Sequence, residues 1–378
     1  MSYSLTTLWY ERHRFLPGVF AVAFSAVLIA LQCGLLLGLF AITSIPVDHT
    51  RADIWLGGPE VLSVDVARPI PENYLSRLAS QPEIERCEEY VQSFSYWVKP
   101  NSSAELCIVI GSRFEEGALG PVDELTPQLR ALLTEPDSVV VDESELDRLG
   151  INGVGGRGEI NNHQARVVGL VHGLKSIAGP YVFCSVDTAR HLLSRGPGDT
   201  QHTTYILGRC KNPADAAVVV KRMREKDPDR AHMSVFTASE FSLRTRMHWL
   251  TKTKAGIALG YAALLGLLVG AVVTSQTLYA ATAASMREYA VLQALGIPRW
   301  RMATGVLSQS FWVGITGIAI ALPTVFALAW VADLLGARVM LPPEVLAGAG
   351  AVTLVMAMLS GLAALRSLRL AEPAILLR

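Results

Sequence analysis

Two stretches of the chain decide its architecture: Val19–Ile42, VFAVAFSAVLIALQCGLLLGLFAI, and Ala255–Thr277, AGIALGYAALLGLLVGAVVTSQT. Neither carries a charged residue, and both reach the roughly 20 apolar residues that a helix needs to cross a bilayer. The first also exceeds the apolar core of about 7–15 residues in a cleaved signal peptide. We therefore expect it to remain in the protein as a membrane anchor.

Two more apolar runs follow, Ala303–Ala332 and Val345–Leu365, so the sequence predicts transmembrane helices at 19–42, 255–277, 303–332 and 345–365. Residues 43–250 have the composition of a soluble protein. The expected fold is an α-helical membrane protein with four transmembrane helices and a large α+β extracytoplasmic domain inserted between helices 1 and 2. With 33 basic and 33 acidic residues, the chain has no excess of positive charge to attract nucleic acid.

The orientation follows from the basic residues, because cytoplasmic loops are enriched in Lys and Arg. Arginines gather in the N-terminal segment 1–18, in the loop 278–302 and in the tail 366–378. We expect these three segments to be cytoplasmic, and the domain 43–250 and the short loop 333–344 to lie outside. In a bacterium this is a multi-pass protein of the cytoplasmic (inner) membrane, with both termini cytoplasmic and a periplasmic domain.

The predicted spans carry no charged residue in their middle, which argues against an ion or proton path of the chain's own. They do carry closely spaced glycines, which let helix backbones approach one another. Packing within one chain and packing at a dimer interface are both compatible with this spacing. The glycines in question are Gly34, Gly38, Gly256, Gly260, Gly266 and Gly270.

The domain 43–250 alternates strand-like and helix-like patterns. Strands are expected at 61–66, 84–97, 106–112, 181–186, 203–209 and 233–237, and helices at 71–80, 187–194 and 212–226. Two similar α+β units thus bracket a middle section, about 116–175, that is richer in Gly, Asn and Pro. We interpret the domain as an α+β lobe built from both ends and an inserted lobe built from the middle.

Four of the five cysteines lie in this domain, at Cys87, Cys107, Cys184 and Cys210. In an oxidising compartment they could form disulfides. The pairs Cys87–Cys107 and Cys184–Cys210 would each join neighbouring strands, and four free thiols are the alternative. The sequence shows no catalytic motif, phosphate loop or metal-ligand spacing, so we expect no catalytic, cofactor or metal site in this chain.

The loop after the second span contains Ser285–Arg301, SMREYAVLQALGIPRWR. It is typical of a short amphipathic helix with Glu288 in its first turn, ended by Gly296 and Pro298. Such a helix either lies on the membrane surface or docks in the groove of a partner.

Arg287–Gly296, REYAVLQALG, resembles the coupling-helix signature of the FtsX/MacB-type (type VII) ABC transporter permeases. The segments Val139–Gly150 and Arg369–Arg378 are similar to further patterns of that superfamily, and Phe236–Phe241 resembles its DevC-like branch. The resemblance implies that one set of residues contacts the ATPase: Arg287, Glu288, Tyr289, Val291, Leu292, Leu295 and Gly296.

The resemblance also implies the partners. A separate cytoplasmic ABC ATPase would bind ATP and Mg, and the permease would form a homodimer, or a heterodimer, among membrane lipid. A periplasmic adaptor (membrane fusion protein) and an outer-membrane duct would serve efflux of lipid, glycolipid or other hydrophobic cargo. ATP-driven closure would then move porter-like and sabre-like outer lobes (mechanotransmission). We expect Ala238–Thr277 to form one nearly continuous helix that acts as the lever.

Three other functions stay open at this stage. The chain could be an FtsX-like signal transmitter that regulates an extracytoplasmic hydrolase, or it could extract a lipoprotein or lipid from the inner membrane. A membrane-bound enzyme is the least favoured, because the sequence shows no site chemistry. The cargo cannot be read from these residues.

Overall fold

In the computed structural model the chain forms two compact units. Residues Met1–Leu39 and Lys254–Arg378 form one, here called the helical unit, and Phe40–Thr253 form the other, the sheet unit. The structure describes residues 12–66, 68–71, 73–100, 102–176, 178–194, 196, 203–226, 233–284, 298–334 and 339–368.

The helices and strands are numbered in chain order. The α-helices are α1 Arg12–Thr43, α2 Ile45–Asp48, α3 Asn73–Ala79, α4 Pro127–Leu132, α5 Leu146–Leu149, α6 Val186–Leu193, α7 Ala216–Lys226, α8 Ala238–Lys252, α9 Lys254–Ala284, α10 Arg299–Leu334 and α11 Pro343–Leu368. The strands are β1 Ile54–Gly57, β2 Ile84–Val98, β3 Ala104–Ser112, β4 Ser138–Asp142, β5 Arg157–Ile160, β6 His163–Val171, β7 Tyr181–Ser185, β8 Tyr205–Cys210 and β9 Ser234–Thr237.

The helical unit contains the four predicted apolar helices. Segments Phe15–Thr43, Lys254–Thr277, Ala303–Ala332 and Pro343–Leu362 are each long and apolar enough to cross a membrane. Their composition leaves little amphipathic pattern to distinguish one face from another, as expected when apolar residues surround a helix. The predicted number and order of the apolar helices are confirmed.

Helices α1 and α9 pack closely where both backbones carry small residues. The hydroxyl of Ser25 lies 3.0 Å from the carbonyl oxygen of Gly270 and 2.9 Å from the hydroxyl of Thr274. A Cβ on Gly270 would sit 3.2 Å from the Cβ of Ser25, and one on Gly266 would meet Leu28 and Gln32. In the structure these two glycines therefore serve packing within one chain.

Two more close approaches involve glycines of the helical unit. A Cβ on Gly34 would lie 2.8 Å from Val339, and one on Gly317 would lie 2.6 Å from Val22. Of the other predicted packing glycines, Gly38 is buried in α1, and Gly256 and Gly260 lie in the first turns of α9. Whether any of them faces a second subunit stays a prediction.

The predicted, nearly continuous helix Ala238–Thr277 consists of two helices, α8 and α9, with the single residue Thr253 between them. That residue has extended backbone angles (φ −95°, ψ 146°) and separates α8 from α9. Its hydroxyl donates to the carbonyl oxygen of Trp249 at 2.5 Å, which satisfies one of the open carbonyls at the end of α8. Threonine has a low helix propensity, since its β-branched side chain loses rotamer freedom in a helix.

The described residues of the sheet unit form one sheet of nine strands in the order β3-β7-β4-β6-β5-β2-β8-β1-β9, in which β3 also pairs with β2. The longest strand, β2, has 15 residues and joins two parts of the sheet. One part contains β8, β1 and β9, and the other contains β3, β7, β4, β6 and β5. The first half of β2 pairs with β8, and the second half pairs with β3 and β5. Strand β1 is fully buried between β8 and β9.

The lobes differ from the predicted division. Strands β4 and β6, which lie within the predicted inserted lobe 116–175, belong to one half-sheet with β3 and β7, which lie outside that range. The predicted strand 61–66 is wrong, because this segment forms a turn. Of its apolar residues, Val61 and Val64 are buried in the core from this turn, whereas Leu62 and Val66 are exposed.

Apolar side chains fill both faces of the sheet. On one face Trp55 lies at the centre, edge-on to Tyr90 and Tyr205 with ring centroids 5.2 and 5.4 Å away. On the opposite face, Ile54 and Leu56 join residues of α3 and α7 in a second cluster. A third cluster lies under α6.

The structure separates both predicted cysteine pairs. Cys107 lies opposite Ser95 of β2, eight residues beyond Cys87, which at about 3.3 Å per residue is roughly 26 Å. Cys184 lies opposite Gly111 of β3, which pairs with Val91, whereas Cys210 lies opposite Ile84, about 23 Å further along β2. A disulfide needs Cα atoms within about 7 Å. All four thiols are free in the structure.

The packing of α1 on α10 predicts that Gly317→Leu destabilises the helical unit by about 1–3 kcal/mol, because the new side chain overlaps Val22. Gly348→Leu is the matched control, since a Cβ there meets no atom within 4 Å. Unfolding of the full chain in detergent micelles measures both. Equal midpoints for the two variants would contradict the packing described here.

Candidate functional site

The predicted ATPase-coupling residues, Arg287 to Gly296, lie outside the described residues, so their role stays a prediction. The described residues that bear on function lie along α8, which leads from the sheet to α9. Four groups of contacts hold α8 within the sheet unit, three of them in order along the helix and one on another side.

The first group fixes the start of α8. Thr237 ends β9 and caps the helix, its hydroxyl accepting from the Glu240 N–H at 3.2 Å. Phe236 and Phe241 stack across this turn with parallel rings 5.1 Å apart. An apolar pair in these two positions is a hydrophobic staple, which sets the angle at which the chain enters the helix. Arg224 of α7 donates to the Glu240 carboxylate at 2.6 Å and so bonds the first turn of α8 to α7.

The second group ties the middle of α8 to the turn 61–65. Thr245 is buried, and its hydroxyl accepts the backbone N–H of Val64 at 3.1 Å. Arg244 donates to the carbonyl oxygen of Val61 at 2.9 Å. The turn has no strand partner for these groups, and a buried backbone group without a partner costs free energy. Side chains of α8 therefore supply the hydrogen-bond partners that a neighbouring strand would have given to the backbone of this turn.

The third group lies near the end of α8, where Asp65 joins the helix to the sheet. The indole N–H of Trp249 donates to Asp65 Oδ2 at 2.9 Å, and the amide of Gln92 on β2 donates to Oδ1 at 3.2 Å. Asp65 is only 7% exposed. Burial raises the pKa of Asp65 to about 6, although its hydrogen bond with Trp249 acts in the opposite direction.

A second carboxylate holds α8 on another side. Arg246 donates to Asp48 Oδ2 at 2.6 Å and to the hydroxyl of Ser44 at 2.9 Å. Burial alone would raise the pKa of Asp48, but hydrogen bonds from Ser242, Ser44 and Arg246 and the charge of Arg246 lower it. Ser44 and Asp48 follow α1 in the chain. The segments that enter and leave the sheet unit are thus bonded to each other.

The sequence analysis placed the residues of α8 in the expected lever helix Ala238–Thr277. It did not single out Asp65, Thr245 or Gln92. The order Thr237-Ala-Ser-Glu240 is a capping-box pattern and identifies the start of α8 from sequence alone. Nothing local to Asp65 identifies it, because its partners are 27 and 184 residues away along the chain.

Two surface cavities of about 680 and 550 Å³ also lie in the sheet unit. In the larger one the charged lining residues pair with each other, for example Arg86 with Glu88 at 2.5 Å and Arg86 with Glu115 at 3.3 Å. The smaller one contains the pair His191–Asp137, with nitrogen and oxygen 2.7 Å apart. Across the part of the chain that the structure describes, no three His, Cys, Asp or Glu residues are grouped as a metal site requires.

Residues 260–373 match the family model of the FtsX-like permease C-terminal domain. This match confirms the predicted resemblance to FtsX/MacB-type permeases, whereas the DevC-like branch stays a prediction. No curated protein matches the chain.

Three solved structures are similar to about half of this chain, and each match covers nearly the whole length of the solved structure. The periplasmic region of MacB from Actinobacillus actinomycetemcomitans is 14% identical, with a TM-score of 0.34, and the match covers 56% of this chain and 97% of that one. The extracellular domain of the noncanonic ABC-type transporter YknZ from Gram-positive bacteria is 7% identical, with a TM-score of 0.32 and coverage of 48% and 100%. A domain of a putative permease protein from Porphyromonas gingivalis is 12% identical, with a TM-score of 0.31 and coverage of 55% and 97%. At TM-scores below 0.5 these likenesses are weak, and the fold described above rests on the chain's own contacts.

The middle contact predicts that Thr245→Val destabilises the sheet unit by about 1–3 kcal/mol, because the buried N–H of Val64 loses its acceptor while the side-chain volume is kept. Thr251→Val on the same helix is the control, since Thr251 is exposed and its hydroxyl bonds only to the Met247 carbonyl. Thermal unfolding of the full chain in nanodiscs gives both values. A loss for Thr251→Val as large as that for Thr245→Val would show that the Val64 bond is not the cause.

Proposed function

We propose that this chain, a permease of the FtsX/MacB-like type by its domain at residues 260–373, is the membrane-spanning subunit of an ABC-type export system. It transmits ATP-driven movement from a separate cytoplasmic ATPase to its sheet unit. One observation carries the proposal. A helix bonded along its length to the sheet, α8, is followed after a single residue by α9, in which the permease domain begins.

The contacts of α8 suit it to transmit force. The staple at Phe236 and Phe241 fixes its start, Thr245 bonds to the turn 61–65, and Trp249 bonds through Asp65 to β2. A displacement of the end of α8 therefore acts on the sheet at three levels. A helix attached only at its first residue would pivot and pass on much less.

The break at Thr253 changes how such a lever works. A continuous helix would carry bending and twist from α9 into α8, whereas an extended residue between two helices absorbs part of the rotation. A displacement of α9 along the helix axis is still transmitted to α8, because Thr253 is already extended and the backbone there cannot lengthen further. We propose that α8 follows α9 mainly by translation.

The proposed orientation places the sheet unit outside the cytoplasm, in the periplasm of a bacterium, with both termini and the loop 278–302 inside. The basic residues of those segments support it. The exposed apolar side chains along α9, among them Tyr261, Leu264, Leu265 and Leu268, support contact with lipid or with a second subunit. We propose a dimer of permeases within the inner membrane.

The transported material is proposed to stay outside the bundle of spans. Their charge-free middles offer a polar cargo no path, and the sheet unit is the part that force reaches. A periplasmic adaptor and an outer-membrane duct would complete an efflux path for lipid, glycolipid or another hydrophobic cargo. ATP and Mg would be bound by the partner ATPase, and this chain would be non-catalytic.

The proposed coupling helix predicts that Leu292→Glu together with Leu295→Glu abolishes binding of the ATPase, because carboxylates replace the apolar side of the helix. Copurification of the ATPase with the full chain from native membranes measures binding, and its ATP turnover measures stimulation. Val154→Glu adds a carboxylate at an exposed position of the sheet unit and should change neither. Normal binding and stimulation with the double substitution would exclude the coupling role.

The proposed lever predicts that two glycines inserted after Thr253 separate ATP hydrolysis from the sheet unit. The slack linker no longer passes displacement to α8, so nucleotide-dependent deuterium uptake in residues 54–237 should vanish while ATPase binding persists. The same insertion after Val154, an exposed residue of the sheet unit, is the control. Persistence of the nucleotide response with the Thr253 insertion would refute transmission through α8.

A further inference from the structure

We propose that Asp65 is a proton-binding site that sets how firmly α8 is held to the sheet: α8 is packed while the carboxyl group carries a proton and is loosened when it ionises. The proposal rests on the surroundings of one buried carboxyl group at the junction of β2, the turn 61–65 and α8. It does not depend on the partner ATPase or on the orientation in a membrane.

The Asp65 carboxylate has only neutral donors. Trp249 and Gln92 bond to its two oxygens, and no cationic side chain among the described residues forms an ion pair with it. An ionised carboxylate without a cationic partner is costly in a buried place, and the group lowers that cost by taking up a proton or by regaining water. The first of these leaves α8 packed and the second separates α8 from the sheet.

The titratable and charged groups around Asp65 do not supply a counter-charge. Tyr90 on β2, Tyr181 on β7 and Tyr205 on β8 are buried phenols whose pKa is raised, first by burial and then by the charge of Asp65. They therefore stay neutral. On α8, Arg244 bonds to Val61 and stacks over Phe236, and the pKa of His248 is lowered by burial and by the charges of Lys252 and Arg244.

The site also holds polar atoms that match a protonated Asp65. Gln92 and Tyr90 are fully buried, yet Gln92 Oε1 and Tyr90 Oη have no hydrogen-bond partner. The two residues lie on the same face of β2, since alternate residues of a strand point to one side. When the Gln92 amide turns over, a protonated Asp65 donates to its Oε1, and Oδ2 still accepts from Trp249. The amide Nε2 then takes the place that Oε1 held. Protonation thus keeps the hydrogen bond between Gln92 and Asp65 while it removes the buried charge.

The direction follows from linkage between proton binding and packing. With α8 packed, the pKa of Asp65 is about 6, whereas an exposed aspartate has the ordinary value of 3.8. The packed state binds the proton more tightly, so a rise in pH through 6 favours separation. The ratio of separated to packed protein increases by up to about 100-fold, the ratio of the two acid constants.

The test uses the full chain in lipid nanodiscs between pH 4.5 and 8. Infrared difference spectra follow the C=O stretch of a protonated carboxylic acid, and deuterium exchange of the α8 amides, corrected for the intrinsic rate, follows packing. We expect the acid band to disappear with a midpoint near pH 6. Over the same range, corrected exchange of α8 should increase at least about tenfold.

Asp65→Asn keeps the shape and mimics the protonated group, so it should remove the acid band and make corrected α8 exchange independent of pH. Trp249→Phe removes a bond that lowers the pKa of Asp65, so its midpoint should move above that of the native chain. This second variant keeps the proposal open to refutation if Asp65→Asn fails to fold.

Two controls remove other groups that contact or belong to α8. Asp48→Asn deletes a carboxylate that also binds α8, but its pKa is lowered, and His248→Gln deletes a histidine of the helix itself. The transition near pH 6 should survive both changes. Its loss in His248→Gln, or its persistence in Asp65→Asn, overturns the proposal. A transition that follows sodium or potassium concentration at fixed pH would also overturn it, because a metal cation would then take the place of the proton.

Discussion

The stacked pair Phe236 and Phe241 fixes the point at which the chain leaves the sheet, and the other contacts of α8 depend on that point. Because the staple sets the direction of the helix, Thr245 lies over the turn 61–65 and Trp249 lies over Asp65. The pair is itself part of the cluster around Trp55 at the centre of the sheet. The core and the attachment of α8 are therefore one structure, so a change that loosens the core also loosens the helix.

Much of the fold could be predicted from the sequence, because apolar periodicity is a local property. The four apolar helices, the long strand β2 and the helix α7 all show regular patterns over many residues. Strand β1 was missed because it is buried on both faces and so shows no alternation of apolar and polar residues. Strand β5 was missed because it lies in the Gly-rich middle section. The turn 61–65 was misread because Val61 and Val64 are apolar for a different reason, namely that they enter the core from a loop.

The errors at longer range have a common cause. Which residues of two strands lie opposite each other is set by register, and the sequence alone does not state it. Cys87 and Cys107 were therefore proposed as a pair on strands that do pair, β2 and β3, but their positions are about 26 Å apart. Cys184 and Cys210 lie on β7 and β8, which are not neighbours in the described sheet. The bond between Asp65 and Trp249 was missed for the same reason. It joins two segments that are distant in the chain and carry no shared pattern.

The two carboxylates that hold α8 illustrate why burial and charge must be weighed together. Asp48 faces Arg246, and the favourable charge and hydrogen bonds outweigh its loss of water, so it strengthens the attachment when ionised. Asp65 has comparable hydrogen bonds but no cation, so its loss of water dominates and ionisation weakens the attachment. The contact of α8 with Asp48 is thus stabilised by the negative charge of that carboxylate, whereas its contact with Asp65 is weakened when Asp65 is ionised. Below about pH 6 Asp65 takes up a proton while Asp48, whose pKa is lowered, is still ionised. In that range both contacts stabilise the packing of α8 on the sheet.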